Sequence, residues 1–227
     1  MQDKSERMNT VLQILTLLGS LGLFLYGMTL MSESLQKVAG DGLRSFLASM
    51  TSNPLKRVLT GLFVTAVIQS SSATTVMVVS FVNAGILTLL QAVGVIMGAN
   101  IGTTVTAWLI SLLGFKADIA LISIPLIGLG FIFTMAKRQK RKNLGEMIIG
   151  FALLFLGLTF MKDSVPDLGS NPQALHFLQS WTGWGFGSTL IFVGIGTVMT
   201  IILQSSSATM ALTLVMLNLG WIPFEIG

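Results

Sequence analysis

Gly61-Leu-Phe-Val-Thr-Ala-Val-Ile-Gln69-Ser70-Ser71-Ser72-Ala73-Thr74 decides the fold, because the chain contains it twice. The second copy, Gly196-Thr-Val-Met-Thr-Ile-Ile-Leu-Gln204-Ser205-Ser206-Ser207-Ala208-Thr209, aligns without gaps at an offset of 135 residues. Thr65 then meets Thr200, Asn83 meets Asn218 and Gly85 meets Gly220. A looser match lies upstream. Phe24-Leu25 pairs with Phe155-Leu156, and Met28-Thr-Leu-Met-Ser-Glu-Ser34 pairs with Leu158-Thr-Phe-Met-Lys-Asp-Ser164. Repetition on this scale marks an architecture of two related units. Each unit holds a helix, a connecting segment and a Gln-Ser-Ser-Ser run.

Around those polar runs the chain is almost free of charge. Of 227 residues, 52% are hydrophobic and 10% charged, against roughly 25% charged in soluble domains. No Asp, Glu, Lys or Arg lies between Arg57 and Lys116, or between Asp167 and Glu225. A helical membrane pass needs about 20 apolar residues, and these stretches supply them. The apolar run Val11 to Met31 follows a polar, charge-balanced start (Asp3, Lys4, Glu6, Arg7) and has no small-residue cleavage pattern. It therefore reads as a permanent helix rather than a signal segment. There is no cysteine, and one histidine, His176, cannot make a transition-metal site alone. The net charge of +4 comes mostly from Lys137, Arg138, Lys140, Arg141 and Lys142. A basic cluster beside apolar helices reads as a cytoplasmic loop, not as a nucleic-acid surface.

The fold class is therefore all-α and integral to a membrane. Helices are expected at 11–31, 118–136 and 144–162, with an amphipathic segment at 34–50 near the interface. Residues 55–85 carry the polar centre Gln69 to Ser72. With the 137–142 cluster in the cytoplasm, this segment should enter and leave on the cytoplasmic side. Its 31 residues are too few for two full passes, which take about 40, so a re-entrant hairpin is expected with its tip at Gln69 to Ser72. The 86–114 run is interrupted by Gly98-Ala99-Asn100-Ile101-Gly102-Thr103-Thr104. Residues 186–220 form a second polar-centred run. Three passes separate the start of the first unit from the start of the second, so the second should be inverted, a recurring transporter architecture. The units are expected at 1–136 and 144–227, joined by the basic loop 137–143.

Unpaired polar groups in hydrocarbon cost several kcal/mol each, and irregular backbone is tolerated there only where protein or a water-filled cavity covers it. A helix restarting at a hairpin tip presents free N–H groups and a positive dipole end, which makes an anion site without Lys or Arg. The hydroxyls of Ser70, Ser71, Ser72, Ser205, Ser206 and Ser207 add donors, and with Thr74 and Thr209 they can also ligate a small hard cation. Gln69 and Gln204 can donate and accept. The competing reading is small-residue glue between helices, and duplication with the flanking Gln, Ala and Thr favours a site. In the Gly98–Thr104 stretch, glycines alone could serve close packing, but two glycines around Asn100 followed by Thr103 and Thr104 predict an unwound helix offering carbonyls and hydroxyls to Na⁺.

Other residues read as structural. Glu33 and Asp163 occupy matched positions near helix ends and are expected at the interface. Trp181, Trp184 and Trp221 suit an aromatic belt, and the Met residues suit packing. An intramembrane serine hydrolase would need a general base beside the serines, and no Lys, Asp or His lies near either run. A passive channel-like component would give flux without Na⁺.

The duplicated Gln-Ser-Ser-Ser, with Gly-Ala-Asn-Ile-Gly-Thr-Thr after the first copy, resembles the type II sodium–phosphate cotransporters, and the resemblance covers nearly the whole chain. It implies Na⁺-driven phosphate movement by alternating access in a bacterial inner membrane. Phosphate, rather than another small anion or solute, is chosen by this resemblance. No cofactor is implied beyond sodium as the coupling ion. It also implies that Gln69–Ser72 and Gln204–Ser207 meet to hold phosphate and Na⁺. Sodium would further be held by Thr74, Asn100, Thr103, Thr104 and Thr209. The partners implied are phosphate, Na⁺ and the bilayer; a homodimer and a PhoU-like domain stay open. The 135 offset carries Gly98 to position 233, so the second unit is expected to be incomplete: either a C-terminal part is missing and the chain is a fragment that does not transport alone, or the second half of the site comes from elsewhere.

Overall fold

A computed structural model describes residues 2–49, 53–114, 119–164 and 180–225. Every regular element in them is helical. They are α1 (Gln2–Ser49), α2 (Pro54–Ile68), α3 (Ser71–Asn83), α4 (Leu89–Gly102), α5 (Thr104–Leu109) with a π-helical turn (Ile110–Gly114), α6 (Ile119–Thr134), α7 (Gln139–Ser164), α8 (Phe186–Leu203) and α9 (Ser206–Asn218). Four stretches are long and apolar enough to cross a membrane: Val11–Gly40, Leu89–Gly114, Gln139–Ser164 and Phe186–Leu203. Large side chains such as Leu121, Ile124, Ile202 and Phe224 lie exposed. That is costly in water and natural against lipid. The protein is an all-α membrane protein.

Backbone contacts at glycines fix the directions of the helices. A Cβ on Gly27 would lie 2.4 Å from the Leu154 nitrogen, one on Gly150 2.4 Å from the Met31 nitrogen, and one on Gly157 2.4 Å from the Phe24 nitrogen. Numbers rise along α1 as they fall along α7, so the two are antiparallel. The upstream matched segments, 24–34 and 155–164, thus run in opposite directions, as inverted units require. α2 and α4 are parallel instead: Gly98 sits against Val58, and Gly102 against Leu62 and Thr65. α3 must therefore bring the chain back to the side where α2 began. At 1.5 Å per residue, α2 and α3 are only roughly 20 Å long, short of the ~30 Å hydrocarbon core. The hairpin expected from 55–85 is present.

Three expectations are corrected. The first helix and residues 34–49 of the amphipathic segment are one continuous helix, which runs through Gly40 and Gly42 while Leu43 and Leu47 share a core cluster with Val64, Ile68 and Val78. The basic loop expected over 137–143 shrinks to 135–138. Gln139 to Lys142 already lie in α7, with the Arg141 and Lys142 amides bonded to the Arg138 carbonyl at 3.0 and 3.2 Å. The unwinding expected at 98–104 does not occur. Gly98 to Gly102 are helical, and Thr103 keeps φ −61° and ψ −29°. The glycines there serve close packing. A Cβ on Gly98 would stand 1.9 Å from the Val58 carbonyl oxygen.

Candidate functional site

The two repeats make the same local structure residue by residue. α2 ends at Gln69 in the left-handed region (φ 59°), and α8 ends at Gln204 likewise (φ 53°). Non-glycine residues rarely adopt this conformation, and it ends a helix abruptly. Ser70 and Ser205 are then N-caps, each accepting at 3.2 Å from the backbone N–H three residues on, Ala73 and Ala208. Behind each tip a threonine pair closes the hairpin. Thr65 donates to Thr74 at 2.9 Å, and Thr200 to Thr209 at 3.1 Å. Thr74 and Thr209 pass the bond on to the carbonyls of Ser70 and Ser205 at 3.1 and 3.2 Å. Even the exits correspond: Gly85 and Gly220 are both left-handed, at φ 70° and 72°.

The tips meet. A cavity of about 400 Å³ is lined by Gln69, Ser70, Ser71 and Ser72 from one and Gln204, Ser205, Ser206 and Ser207 from the other. α1 contributes Leu25, Met28 and Thr29, and Thr103 reaches in from the α4–α5 junction. Leu25 to Thr29 fall near the middle of the Val11–Gly40 span, so the cavity lies at about mid-depth. Among the described residues its lining includes no Lys, Arg, His, Asp or Glu. Polarity is supplied by hydroxyls, amides and two helix starts. The first N–H groups of α3 and α9 have no intrahelical acceptor, and both helices direct their positive dipole ends to the tips.

The sequence-derived residues divide in this geometry. Both Gln-Ser-Ser-Ser runs and Thr103 line the cavity. Thr74 and Thr209 stand behind the tips, with their hydroxyls engaged as described. Asn100 and Thr104 are exposed on the outer side of the α4–α5 run and do not line the cavity. His176 lies outside the described residues. Glu33 and Asp163 are both exposed, but only Asp163 lies near a helix end, that of α7; the continuity of α1 to Ser49 leaves Glu33 well inside a helix, 4.0 Å from Lys37.

One contributor escaped the sequence reading. Thr106, only 3% exposed, donates to the Gln69 side-chain oxygen at 2.9 Å. The Gln69 amide nitrogen donates in turn to the Ala66 carbonyl. Gln69 is thus held at both ends and buried, at 7% exposure. Gln204 also donates to its own helix, at the Ile201 carbonyl, but is exposed. The offset carries Thr106 to position 241, outside these 227 residues. The signal for Thr106 was its place one helical turn after Gly102 and Thr103, on the face that meets α2.

Comparison with known proteins shows the family. The family model described as Na+/Pi-cotransporter matches residues 23–163. The chain belongs to this family. It is similar to "Uncharacterized protein YqeW" of Bacillus subtilis, with 32% identity over 87% of this chain and 61% of the relative. It is 30% identical, over 95% of this chain and 38% of the relative, to the Escherichia coli K12 protein named "Putative inorganic phosphate export protein YjbB". The human protein named "Sodium-dependent phosphate transport protein 2B" is 39% identical over 44% of this chain and 15% of its own length. The chain thus spans from about three-fifths down to less than a fifth of these relatives. No solved structure gives a significant match.

Proposed function

We propose that this chain carries the substrate site of a Na⁺-coupled inorganic phosphate transporter of a bacterial inner membrane, working by alternating access. The observation that carries the reading is the meeting of two identical Gln-Ser-Ser-Ser tips, 135 residues apart in sequence, in one cavity without a charged side chain. Phosphate oxygens would be held by the hydroxyls of Ser71, Ser72, Ser206 and Ser207 and by the helix-start N–H groups beside them. Na⁺ would be held by the same hydroxyls with Thr103 and with carbonyl oxygens freed at the tips. Thr74 and Thr209 would act by fixing the tips rather than as direct ligands. We read residues 1–136 and 144–227 as the two inverted units. A rocking motion that opens one tip or the other would give each side access in turn.

The family name and the human relative's name support sodium as the coupling ion. The Escherichia coli relative's name favours export as the net direction. The test is phosphate flux in proteoliposomes, with labelled phosphate and an imposed Na⁺ gradient of either sign. Na⁺-dependent flux abolished by both Ser71→Ala and Ser206→Ala supports one shared site. Flux that ignores Na⁺ refutes the coupling. Flux that survives in either variant refutes the shared site.

A further inference from the structure

A second, wider cleft lies away from the Gln-Ser-Ser-Ser cavity and shares no residue with it. It has about 870 Å³ of space between α1, the second half of α2 and the first turn of α7. That is within the range of small-molecule sites, about 300–1,000 Å³. Its lining is of two kinds: polar and basic Lys37, Lys140, Gln139 and Asn143, and apolar Leu43, Phe46, Phe63 and Val67. Phe46 and Phe63 stack in a tilted pair with centroids 5.3 Å apart. The Asn143 side-chain oxygen already accepts from Gln139 at 2.9 Å, so what Asn143 further offers is an N–H donor.

We propose that this cleft binds an anionic phospholipid, its phosphate between Lys37 and Lys140 and its first acyl carbons over Phe46, Phe63 and Val67. Three observations point this way. First, the basic lining belongs to the densest positive region of the chain, since Lys140 is flanked by Lys137, Arg138, Arg141 and Lys142. Basic pockets between membrane helices on that side suit anionic headgroups. Second, Lys37 is only loosely neutralised. Glu33 and Glu146 lie 4.0 and 3.8 Å away, beyond hydrogen-bond length, and Lys37 keeps about half of its surface. Third, the same cleft that holds the lysines is walled by Leu43, Phe46, Phe63 and Val67, an apolar surface that the first carbons of an acyl chain would cover. A free phosphate ion would have no use for that wall; a lipid would.

The experiment uses the full chain purified into nanodiscs of mixed phosphatidylglycerol and phosphatidylcholine, with retained lipid counted by native mass spectrometry. About a tenfold preference for phosphatidylglycerol is expected from two lysines near the surface, part of their attraction being offset by Glu33 and Glu146. Lys140→Gln should lower the preference several-fold. Val67→Trp, which crowds the apolar wall without changing charge, should lower it too. The double variant Arg138→Gln/Lys142→Gln, outside the cleft, should keep most of it. Equal retention of the two lipids overturns the proposal. So does an equal loss in the Arg138/Lys142 variant, which would mean diffuse attraction to the basic segment. Displacement of the lipid by millimolar inorganic phosphate would assign the cleft to the free ion instead and overturn the lipid reading.

Discussion

Replacing Gly61 and Gly196 by alanine, one at a time, sets the two repeats against each other. The residues are equivalent by sequence, and each lies one helix before its Gln-Ser-Ser-Ser tip. Their surroundings differ. A Cβ on Gly61 would stand 1.9 Å from the Val95 carbonyl oxygen, 2.8 Å from its carbon and 2.9 Å from the Ala99 nitrogen. All three are backbone atoms of α4, so no side chain can swing aside. Restoring an ordinary contact of 3.4 Å requires α2 and α4 to part by about 1.5 Å, and the Gly98–Val58 contact would open with them. Overpacking costs about 1–3 kcal/mol and occasionally more, and this case belongs at the upper end. Alanine's better helix propensity returns up to ~1 kcal/mol. The net expectation for Gly61→Ala is a loss of about 2 kcal/mol or more. Around Gly196 nothing lies within 4 Å, so Gly196→Ala keeps only the propensity gain. Thermal unfolding of both variants in the same detergent, followed by near-ultraviolet circular dichroism, gives the ordering. Gly61→Ala should melt well below wild type and Gly196→Ala at or slightly above it. A Gly61→Ala protein that melts with wild type would refute the packing argument. Equal losses in both would mean that Gly196 also lies against backbone.

Thr106→Val keeps shape but leaves the buried Gln69 oxygen without its donor, a cost of about 1–3 kcal/mol. Phosphate binding followed by calorimetry should weaken, while Thr106→Ser should restore it; two equal variants would remove Thr106 from the site. Ser70→Ala and Ser205→Ala each lose one N-cap bond and should each destabilise by about 1 kcal/mol in a denaturant titration. Glu146→Gln should change stability by less than about 1 kcal/mol, since its pairing with Lys37 is long and half-exposed; a larger loss would give that contact a structural weight that its geometry does not support.

The duplication made much of this legible in advance. An identical run at a fixed offset predicted that Gln69 and Gln204 would sit in equivalent places. The charge in 137–142 led to α2 and α4 beginning on one side, and their parallel packing agrees with that. What sequence could not settle was whether glycine meant looseness or closeness. Gly98 and Gly102 flank Asn100 in a pattern that suits an unwound helix as well as a tight seam. The decision came from Val58 and Leu62, forty residues earlier, whose carbonyls occupy the space a side chain would need. Thr106 was hidden for a related reason. Its partner, Gln69, is 37 positions away, and no local pattern announces a bond between them. The continuity of α1 through residues 34–49 was invisible because its amphipathic face packs on α2 and α3 instead of lying on the membrane.

The absence of a charged side chain from the cavity lining bears on the proposed coupling. A multiply charged anion leaving water at mid-membrane depth loses hydration worth many kcal/mol. Hydroxyls, amide groups and two helix dipoles replace part of it, each helix end acting as roughly half a positive charge. Together they do not balance a divalent phosphate. A fixed lysine would close the gap but would also hold the anion after the site opened, and the empty site would carry an unpaired buried charge in the return step. Mobile cations avoid both difficulties. In the proposed mechanism, Na⁺ entering with phosphate would neutralise the loaded cavity, leave with it, and return the lining to a neutral state that costs little to bury. The proposed coupling would then rest on the chemistry of the Gln-Ser-Ser-Ser tips. It also assigns Gln69 and Gln204 different tasks, since the first is locked by Thr106 and Ala66 while the exposed Gln204 is the amide better placed to follow the ions as they come and go.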